Sequence, residues 1–392
     1  MTKKIRCVVG MSGGVDSAVS TFLMRERGYD VIGCTFRMFD SPGSQKAIAD
    51  AKQIANFLGV NHEVVECASD FKKHVMDYFV DSYENGLTPN PCIMCNKFLK
   101  FHYLDEVRKK FDADFLVTGH YARIKRDESD PFSNIELHRA TDSSRDQSYF
   151  LYAVDPEILA HAIFPLGEYE KPFVREIAAK NGIHVAQKSD SQDICFIPDK
   201  DYVSFIKRYQ RDFGCGCTTR ITHAEAVSTS KIALAYNEEG GEVSGGSNVT
   251  LAGNIVDRDG KVLGKHNGIV NYTIGQRKGL GLSGGPFFVC AIDASRNEIV
   301  VSPKENLRED IVHLKDVKFF NGEFLGECQV QVRLCSTRTS AYVCKNADGS
   351  YFVKLHTPEF GIAKGQHCVF FDDTKVIGGG AICGCTMCAY YC

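Results

Sequence analysis

Val9-Gly10-Met11-Ser12-Gly13-Gly14-Val15-Asp16-Ser17 is the stretch that decides the fold. The preceding Ile5-Arg6-Cys7-Val8-Val9 is β-like, and in the following Ala18-Val19-Ser20-Thr21-Phe22-Leu23-Met24 apolar residues recur at helical spacing. The predicted context is therefore strand, tight loop, helix. Anions bind at such places: Gly13 and Gly14 let backbone N–H groups approach a phosphate, Ser12 and Ser17 add hydroxyl donors, and the new helix points its positive end at the loop. The missing Gly-Lys-Ser/Thr excludes a Walker A loop, and the missing G-x-G-x-x-G argues against a dinucleotide.

Outward from the loop, Tyr29 to Phe36 and Asn61 to Val65 are predicted strands, and Gln45 to Leu58, ending at Gly59, and Phe71 to Tyr83 are predicted helices. Strands alternating with helices of this length predict an α/β fold with a parallel sheet covered on both faces. Ligands on such sheets lie beyond the carboxyl ends of the strands, so the first loop and Phe36 should line one nucleotide pocket. The string Ser-Gly-Gly-Val-Asp-Ser resembles the PP-loop of ATP pyrophosphatases, which cut ATP between the α and β phosphates and adenylate a carbonyl oxygen.

Composition sets limits. At 392 residues the chain should divide into two or three domains, and its apolar and charged fractions are those of a soluble globular protein. Met-Thr-Lys-Lys leads directly into a strand, with no signal-like apolar region and no apolar run long enough to cross a bilayer. A cytoplasmic protein is expected, with a eukaryotic organelle as the alternative. The net charge of −3 gives no global basic field, so an RNA partner would need a local basic track. Without an export signal, the 17 cysteines should be reduced thiols or metal and redox ligands.

Thr88-Pro89-Asn90-Pro91-Cys92-Ile93-Met94-Cys95-Asn96-Lys97 precedes a helical pattern at Phe98, Phe101, Leu104, Val107 and Phe111, which places Cys95 just ahead of a helix N-terminus. An ordinary thiol is only a few per cent thiolate at neutral pH, and a helix end contributes about 0.3–1 kcal/mol, less than one pKa unit. A reactive Cys95 would therefore need Lys97, Lys100 or the substrate site as well. Asp114 to Tyr121 reads as a strand entering a pocket loop, and Arg123, Lys125, Arg126, Arg139 and Arg145 are scattered over the hairpin-like segment after it. Helical patterns at Pro156 to Ile163 and Lys171 to Lys180 lead to Gln187-Lys188-Ser189-Asp190-Ser191-Gln192-Asp193-Ile194-Cys195-Phe196-Ile197, with Cys195 in an apolar strand-like tip.

Helical periodicity fades from about Tyr202, and Phe213 to Gly253 is rich in Gly, Ser, Thr and Asn, with Ile232 to Tyr236 its apolar run. Gly268 to Gly281 is β-like, with Arg277 and Lys278 among glycines as a cationic loop. Strands such as Gln329 to Leu334, Ser350 to Leu355 and His367 to Phe371 alternate with turns as a small β-barrel would. The resulting division is 1–204 for the nucleotide domain, 205–304 for a central loop-rich β domain with its insertion, and 305–392 for a C-terminal barrel. The end from Cys383 to Cys392 fits no standard zinc spacing and reads as an adventitious tail.

Cys92-x-x-Cys95 alone is half a zinc site, a redox pair or coincidence, and a lone Cys195 is more often a buried apolar residue than a catalyst. Together with the loop they allow one reaction to be written. A uridine C2 carbonyl, flanked by two nitrogens, is a poor electrophile; AMP transferred to its oxygen makes that oxygen a leaving group. A persulfide sulfur then attacks C2, and a second thiol takes over the carrier's bond as a disulfide.

Six strings in order, Gly-Met-Ser-Gly-Gly-Val-Asp-Ser, Thr-Pro-Asn-Pro-Cys-Ile-Met-Cys-Asn-Lys, Thr-Gly-His-Tyr-Ala-Arg, Asp-Gln-Ser-Tyr-Phe-Leu, Asp-Ser-Gln-Asp-Ile-Cys-Phe-Ile and Tyr-Thr-Ile-Gly-Gln-Arg-Lys-Gly-Leu-Gly, resemble the tRNA-specific 2-thiouridylases over nearly the whole chain. The resemblance implies thiolation of a tRNA wobble uridine, with ATP and Mg2+ used and a cysteine desulfurase or sulfur relay as donor. It implies that Gly10, Met11, Ser12, Gly13, Gly14, Val15, Asp16, Ser17, Phe36 and Gly119 bind ATP, that Cys95 is the nucleophile and that Cys195 carries the persulfide. Asn90, Pro91 and Cys92 are implied at the target base, and His120, Arg145, Asp146, Gln147, Arg333 and Gln366 at the tRNA. The chain also departs from the family pattern. Many members carry Asp where Cys92 stands, which opens a second arrangement with Cys92, Cys95 and Cys195 as ligands of an iron–sulfur cluster. The family's basic-aromatic-basic strand survives only in part, as Gln331-Val332-Arg333-Leu334-Cys335. The insertion up to Asn248 has no recognised counterpart. Two rivals remain: a PP-loop ligase amidating a small metabolite, which would not use Cys95 and Cys195, and a non-catalytic module binding ATP and RNA around a structural metal.

Overall fold

The structure is a computed structural model that describes residues 4–127, 130, 132–188, 193–213 and 251–385. The insertion with Ile232 to Tyr236, and the chain end beyond Cys385, lie outside these residues.

Five parallel strands carry the nucleotide loop: β1 (Arg6–Gly10), β2 (Asp30–Arg37), β3 (Asn61–Glu66), β4 (Phe115–Val117) and β7 (Ala162–Ile163), in the order β3-β2-β1-β4-β7. Cys7, Val8 and Val9 of β1 are inaccessible to solvent, as expected of a central strand buried on both faces. Its register pairs Val8 with both Ile32 and Leu116. The chain leaves β1 toward β2 and β3 on one side, then crosses to β4 and β7 on the other. The crevice of such a sheet lies where the strand order reverses, here beyond the carboxyl ends of β1 and β4.

Helices α1 (Val15–Glu26) and α2 (Pro42–Leu58) follow β1 and β2. α2 begins three residues before the predicted start, because Ser41 caps the N–H of Ser44 at 3.1 Å and Pro42 fits the first turn. A continuous helical run follows β3: α3 (Ala68–Phe71), a π turn (Lys72–Asp77) and α4 (Tyr78–Glu84). Another joins α5 (Pro91–Cys95), a π turn (Asn96–Lys100) and α6 (Phe101–Lys110). This run starts seven residues before the predicted Phe98, because Asn90 accepts the Ile93 N–H at 3.3 Å and Pro91 opens the first turn. Cys95 thus lies inside a helix, not ahead of one. The pattern at Pro156 to Ile163 gives only the single turn α7 (Pro156–Leu159) and then β7, whose short edge pairing with β4 overrides the helical spacing. α8 (Lys171–Lys180) stands as read. α9 (Tyr202–Phe213) is a helix, against the expectation that helical periodicity fades from Tyr202: Tyr202, Phe205, Ile206 and Tyr209 keep helical spacing, and Phe205, Ile206 and Tyr209 form its buried face.

In the central region β8 (Gly253–Val256), β9 (Val262–His266), β10 (Phe288–Asp293) and β11 (Glu298–Ser302) form a sheet in the order β10-β11-β8-β9. Gly268 to Gly281 forms a 3-10 turn and loops, not a strand, since several of its glycines take positive φ and break extended pairing. Arg277 and Lys278 are exposed on it. The barrel is β12 (Arg308–Phe319), β13 (Gly326–Gln331), β14 (Thr339–Lys345), β15 (Tyr351–Phe360), β16 (His367–Asp372) and β17 (Lys375–Cys385), closed by pairing of β12 with β17. Alternate residues such as Val312, Leu314, Val330, Val343, Val353 and Phe370 fill it. β17 takes Cys383 into the barrel wall, so Cys383 is not part of a tail.

The barrel is welded to the nucleotide region at several places, among them the Tyr149 O–H on the His367 carbonyl at 2.9 Å. The hairpin β5 (Ala122–Arg126) and β6 (Ile135–Arg139) extends its sheet through His138 and Lys375, where Glu136 pairs with Lys375 at 2.6 Å. The Gln366 amide donates to the carbonyls of Thr88 at 3.0 Å and Pro89 at 3.5 Å, and the Thr88 N–H donates to Lys364 at 2.8 Å. The barrel therefore holds the segment that leads into α5. Every cysteine whose side chain is described is a free thiol, and among the described residues no helix is long and apolar enough to cross a membrane.

Candidate active site

The loop after β1 is fixed by its own polar groups. Ser12 N–H donates to Ser17 Oγ at 3.1 Å, Ser17 Oγ donates to the Gly14 carbonyl at 3.1 Å, and the Met11 carbonyl accepts from Thr35 at 2.7 Å. Gly13 has φ +69°, and a Cβ there would lie 2.5 Å from the Ala47 carbonyl, so α2 closes over the loop only because this residue is glycine. At Gly119, after β4, a Cβ would lie 2.9 Å from the backbone carbon of Asp16 and 3.0 Å from Ser17 N. Gly119 thus lets the β4 loop pack on the N-terminus of α1. The α1 N-cap Gly14 offers no side-chain cap, which leaves the first-turn N–H groups to a ligand.

Two lysines that the sequence reading did not single out touch this loop. Lys171 Nζ, almost fully buried, lies 2.7 Å from both Asp16 carboxylate oxygens, and Tyr121 O–H donates to Asp16 at 2.9 Å. Lys188 Nζ donates to the Gly13 carbonyl at 2.9 Å and to Asp50 at 2.8 Å. Their only sequence signal is a lysine at a helix start and another just before the Cys195 motif. Asp16 is the single carboxylate of Gly10 to Ser17, so a magnesium ion carried by ATP would have to share it with Lys171.

Phe36, at the end of β2, packs on Tyr103 with ring centroids 6.4 Å apart. His120 is stacked on Phe101 at 5.7 Å, sits edge-on to Phe164, and bonds Thr118 Oγ1 through Nδ1 at 2.7 Å. Burial, with help from nearby Lys100, holds its pKa down at about 3, so the ring is neutral at physiological pH.

Cys92, Cys95 and Cys195 come within electrostatic reach of one another and of Lys100. The reason is apolar packing. Phe196 meets Phe71 and Phe79 edge-on at 5.7 and 5.5 Å and lies in the same buried cluster as Cys95 and Leu99, so the residue next to Cys195 anchors it over α5. Burying one such ring contributes about 1.5–3 kcal/mol. Ile194 to Ile197 is a turn, not a strand tip, closed by the Ile197 N–H on the Ile194 carbonyl at 2.9 Å. Cys92 and Cys195 are exposed, whereas Cys95 is 5% exposed.

Burial pushes the Cys95 thiol up to about 12; Lys100 opposes this, and Cys195, Cys92 and Cys67 add to it. Desolvation also raises Cys92 and Cys195, again opposed by Lys100. The expected gain from a helix terminus is absent at Cys95, because the helix begins at Pro91 and the thiol faces the core. Among the described residues, no group of three or more His, Cys, Asp or Glu side chains is arranged to hold a metal ion. Cys92, Cys95 and Cys195, the set the sequence offers for an iron–sulfur cluster, are therefore not drawn together as a ready metal-binding group.

The residues implied at tRNA divide. Asp146 is used inside the fold, accepting from Arg139 Nε at 2.9 Å, Ser148 Oγ at 3.0 Å and Ala140 N–H at 3.0 Å. Gln147 Oε1 accepts the Tyr121 N–H at 3.0 Å, which ties it to the Gly119 loop. Arg145 is half-buried beside them, and Arg333 stands in the turn after β13 with its carbonyl bonded by Ser336. Gln366 holds the Thr88 segment. Of the scattered arginines, Arg123 donates to the Arg139 carbonyl at 2.6 Å, and Arg126 donates to Ala160. These two brace the hairpin from within the fold.

A parallel sheet with a Ser-Gly-Gly-Val-Asp-Ser loop at its switch point defines a PP-loop nucleotide-binding protein. Family models match as "tRNA methyl transferase HUP domain" over 5–199, "tRNA methyl transferase PRC-barrel domain" over 247–303 and "Aminomethyltransferase beta-barrel domain" over 309–382. The chain is 38% identical to the tRNA-specific 2-thiouridylase MnmA of Clostridium perfringens, over 97% of this chain and 99% of that protein. It is 37% identical to the MnmA of Clostridium acetobutylicum, over 97% and 100%. A third relative, from Roseobacter denitrificans, is 38% identical over 96% and 94%. The chain belongs to the tRNA-specific 2-thiouridylase family.

Proposed function

We propose that the chain is a tRNA uridine 2-sulfurtransferase that adenylates the C2 oxygen of a wobble uridine and replaces it with sulfur. ATP lies on the loop Gly10 to Ser17, with magnesium accompanying it. The uridine oxygen attacks the α phosphorus, the bond to the bridging oxygen breaks, and pyrophosphate leaves with the electron pair. The outer sulfur of a persulfide on Cys195 attacks C2, and AMP departs. The Cys95 thiolate then attacks the Cys195 sulfur; the base leaves as the thiolate of 2-thiouridine, and Cys95 and Cys195 remain as a disulfide for an external reductant. A cysteine desulfurase or sulfur relay loads Cys195. Asn90, Pro91 and Cys92 meet the base, and His120, Arg145, Arg333 and Gln366 line the approach of the tRNA.

The observation that carries this reading is the convergence of two thiols a hundred residues apart and one lysine, with Phe196 beside Cys195 packed into the same buried cluster as Cys95. A ligase for a small metabolite has no use for that convergence. Chemistry assigns Lys100 the task of offsetting the desolvation that keeps the thiols protonated.

The test is incubation with ATP, a persulfide donor and unmodified tRNA, followed by mercury-gel retardation. Retarded tRNA that disappears in Cys195→Ser is the expected result; retardation unchanged in that variant sinks the carrier role. If the chain binds tRNA but never consumes ATP, it is a binding module.

A further inference from the structure

A loop built for a triphosphate must meet about four negative charges, and Gly10 to Ser17 contains no cation of its own. The charge has to come from elsewhere in the fold. Lys188, 175 residues from Gly13 in sequence, holds its ammonium 2.9 Å from the Gly13 carbonyl at the rim of the loop. Its other partner, Asp50 on α2, lies 2.8 Å away, and Asp50 has a second cation, Lys46, at 3.2 Å. An ammonium has three N–H donors, and Gly13 and Asp50 use two. Lys188 can therefore turn to an incoming phosphate while Asp50 stays neutralised by Lys46.

Lys171 is placed differently. It opens α8, where a cation opposes the helix dipole, and it is almost fully buried. What holds it there is the carboxylate of Asp16, in the first turn of α1, bonded through both oxygens. The N-termini of α1 and α8 thus meet around one ion pair, and Asp16, which would otherwise repel phosphate, is neutralised.

We propose that Lys188 is a catalytic residue that binds the β and γ phosphates of ATP and stabilises the pyrophosphate as it leaves, and that Lys171 is a positioning residue acting through Asp16. This rests on the reading of the loop as an ATP site. When the Pα–O bond breaks, the electron pair stays on the bridging oxygen of pyrophosphate, and the ammonium of Lys188 meets that charge without itself losing a proton. AMP, which lacks those phosphates, makes no contact with Lys188.

The experiment is equilibrium binding of ATP, inorganic pyrophosphate and AMP, each with magnesium, to the full chain and to Lys188→Met, Lys188→Arg and Asp50→Asn. The expected loss in Lys188→Met is about tenfold or more for ATP and pyrophosphate and less than about twofold for AMP, with Lys188→Arg recovering most of it. Asp50→Asn removes the resting partner but keeps the ammonium, so pyrophosphate affinity should stay within about threefold of the wild type. Equal losses in Asp50→Asn and Lys188→Met mean that the ion pair is merely structural and overturn the proposal, as does Lys188→Met binding pyrophosphate like the wild type. A wild type that binds AMP but not pyrophosphate overturns it too. A wild type that binds none of the three overturns the nucleotide reading itself. For Lys171→Met, a raised KM for ATP with kcat for bound substrate preserved is expected, and an unchanged KM removes its positioning role.

Discussion

The nucleotide loop and the cysteine helix are joined through His120, Phe101 and Lys100, yet they are built in opposite ways. In the loop every polar side chain has a partner, Ser12 with Ser17 and Asp16 with Lys171 and Tyr121, and Lys188 from outside bonds Gly13 and Asp50. It is organised before substrate arrives. At the helix, the group with the chemistry to do is held in its inactive form, since Cys95 is in an apolar cluster that favours the neutral thiol. One half of the site is ready at rest and the other is suppressed at rest. This suits a two-stage reaction, in which adenylation must precede the attack of sulfur.

The largest effect that could break this contrast is loss of the loop. Gly119→Val should abolish ATP binding, and Gly13→Ala, strained by its positive φ and by the Ala47 carbonyl, should cost about 1–3 kcal/mol of stability and most of the ATP affinity. Urea melts and equilibrium nucleotide binding read both; a Gly13→Ala protein that binds ATP normally would mean the loop is not rigid. Thiol suppression is tested next. Iodoacetamide at pH 7 should label Cys195 and Cys92 before Cys95, and Cys95 labelling should rise with pH through 9, because only the thiolate reacts and its pKa lies near 12. Lys100→Met should slow Cys95 further, by about tenfold per added pKa unit. Mass-spectrometric peptide mapping that finds Cys95 labelled first would invert the contrast.

A smaller effect sharpens it. Gln366→Leu removes the barrel's hold on Thr88 and Pro89, worth about 0.5–1.5 kcal/mol, and should lower the rate of thiolation several-fold while leaving ATP affinity unchanged. Equal damage to both would show that the two halves are not independent. The smallest effect is at the hairpin weld. Lys375 and then His138 pull the Glu136 carboxyl down from 4.5 to about 2. The ionised form is the one bound in the fold, so the stabilisation is complete above the unfolded pKa and disappears as pH falls from about 4.5 toward 2. Glu136→Gln should lower stability by less than about 1 kcal/mol at pH 7, and the gap to wild type should shrink in acid, as thermal melts at several pH values can show.

Much of this was legible from residues near one another in sequence. Gly13, Gly14 and the apolar runs around them announced strand, loop and helix, and Cys92, Cys95 and Cys195 stood out by their strings. One miss was local: Tyr202, Phe205, Ile206, Tyr209 and Phe213 recur at helical spacing, so α9 was readable from its own residues. The others have a long-range cause. Ile163 sat in a helical pattern yet became strand because β4 offered it a ladder. Lys171 and Lys188 carry no local mark, since each acquires its meaning from a partner more than a hundred residues away.

The sequence by itself determined the nucleotide loop, the order of the three regions and the identity of the thiols, because turn chemistry, periodicity and residue type are short-range properties. Only the tertiary structure decided that Cys95 rests protonated, that Lys100 is the cation beside it, that Asp16 is neutralised by Lys171 and that Gln366 grips Thr88. Desolvation and charge pairing depend on which distant segments close around a group, and no local string encodes that enclosure.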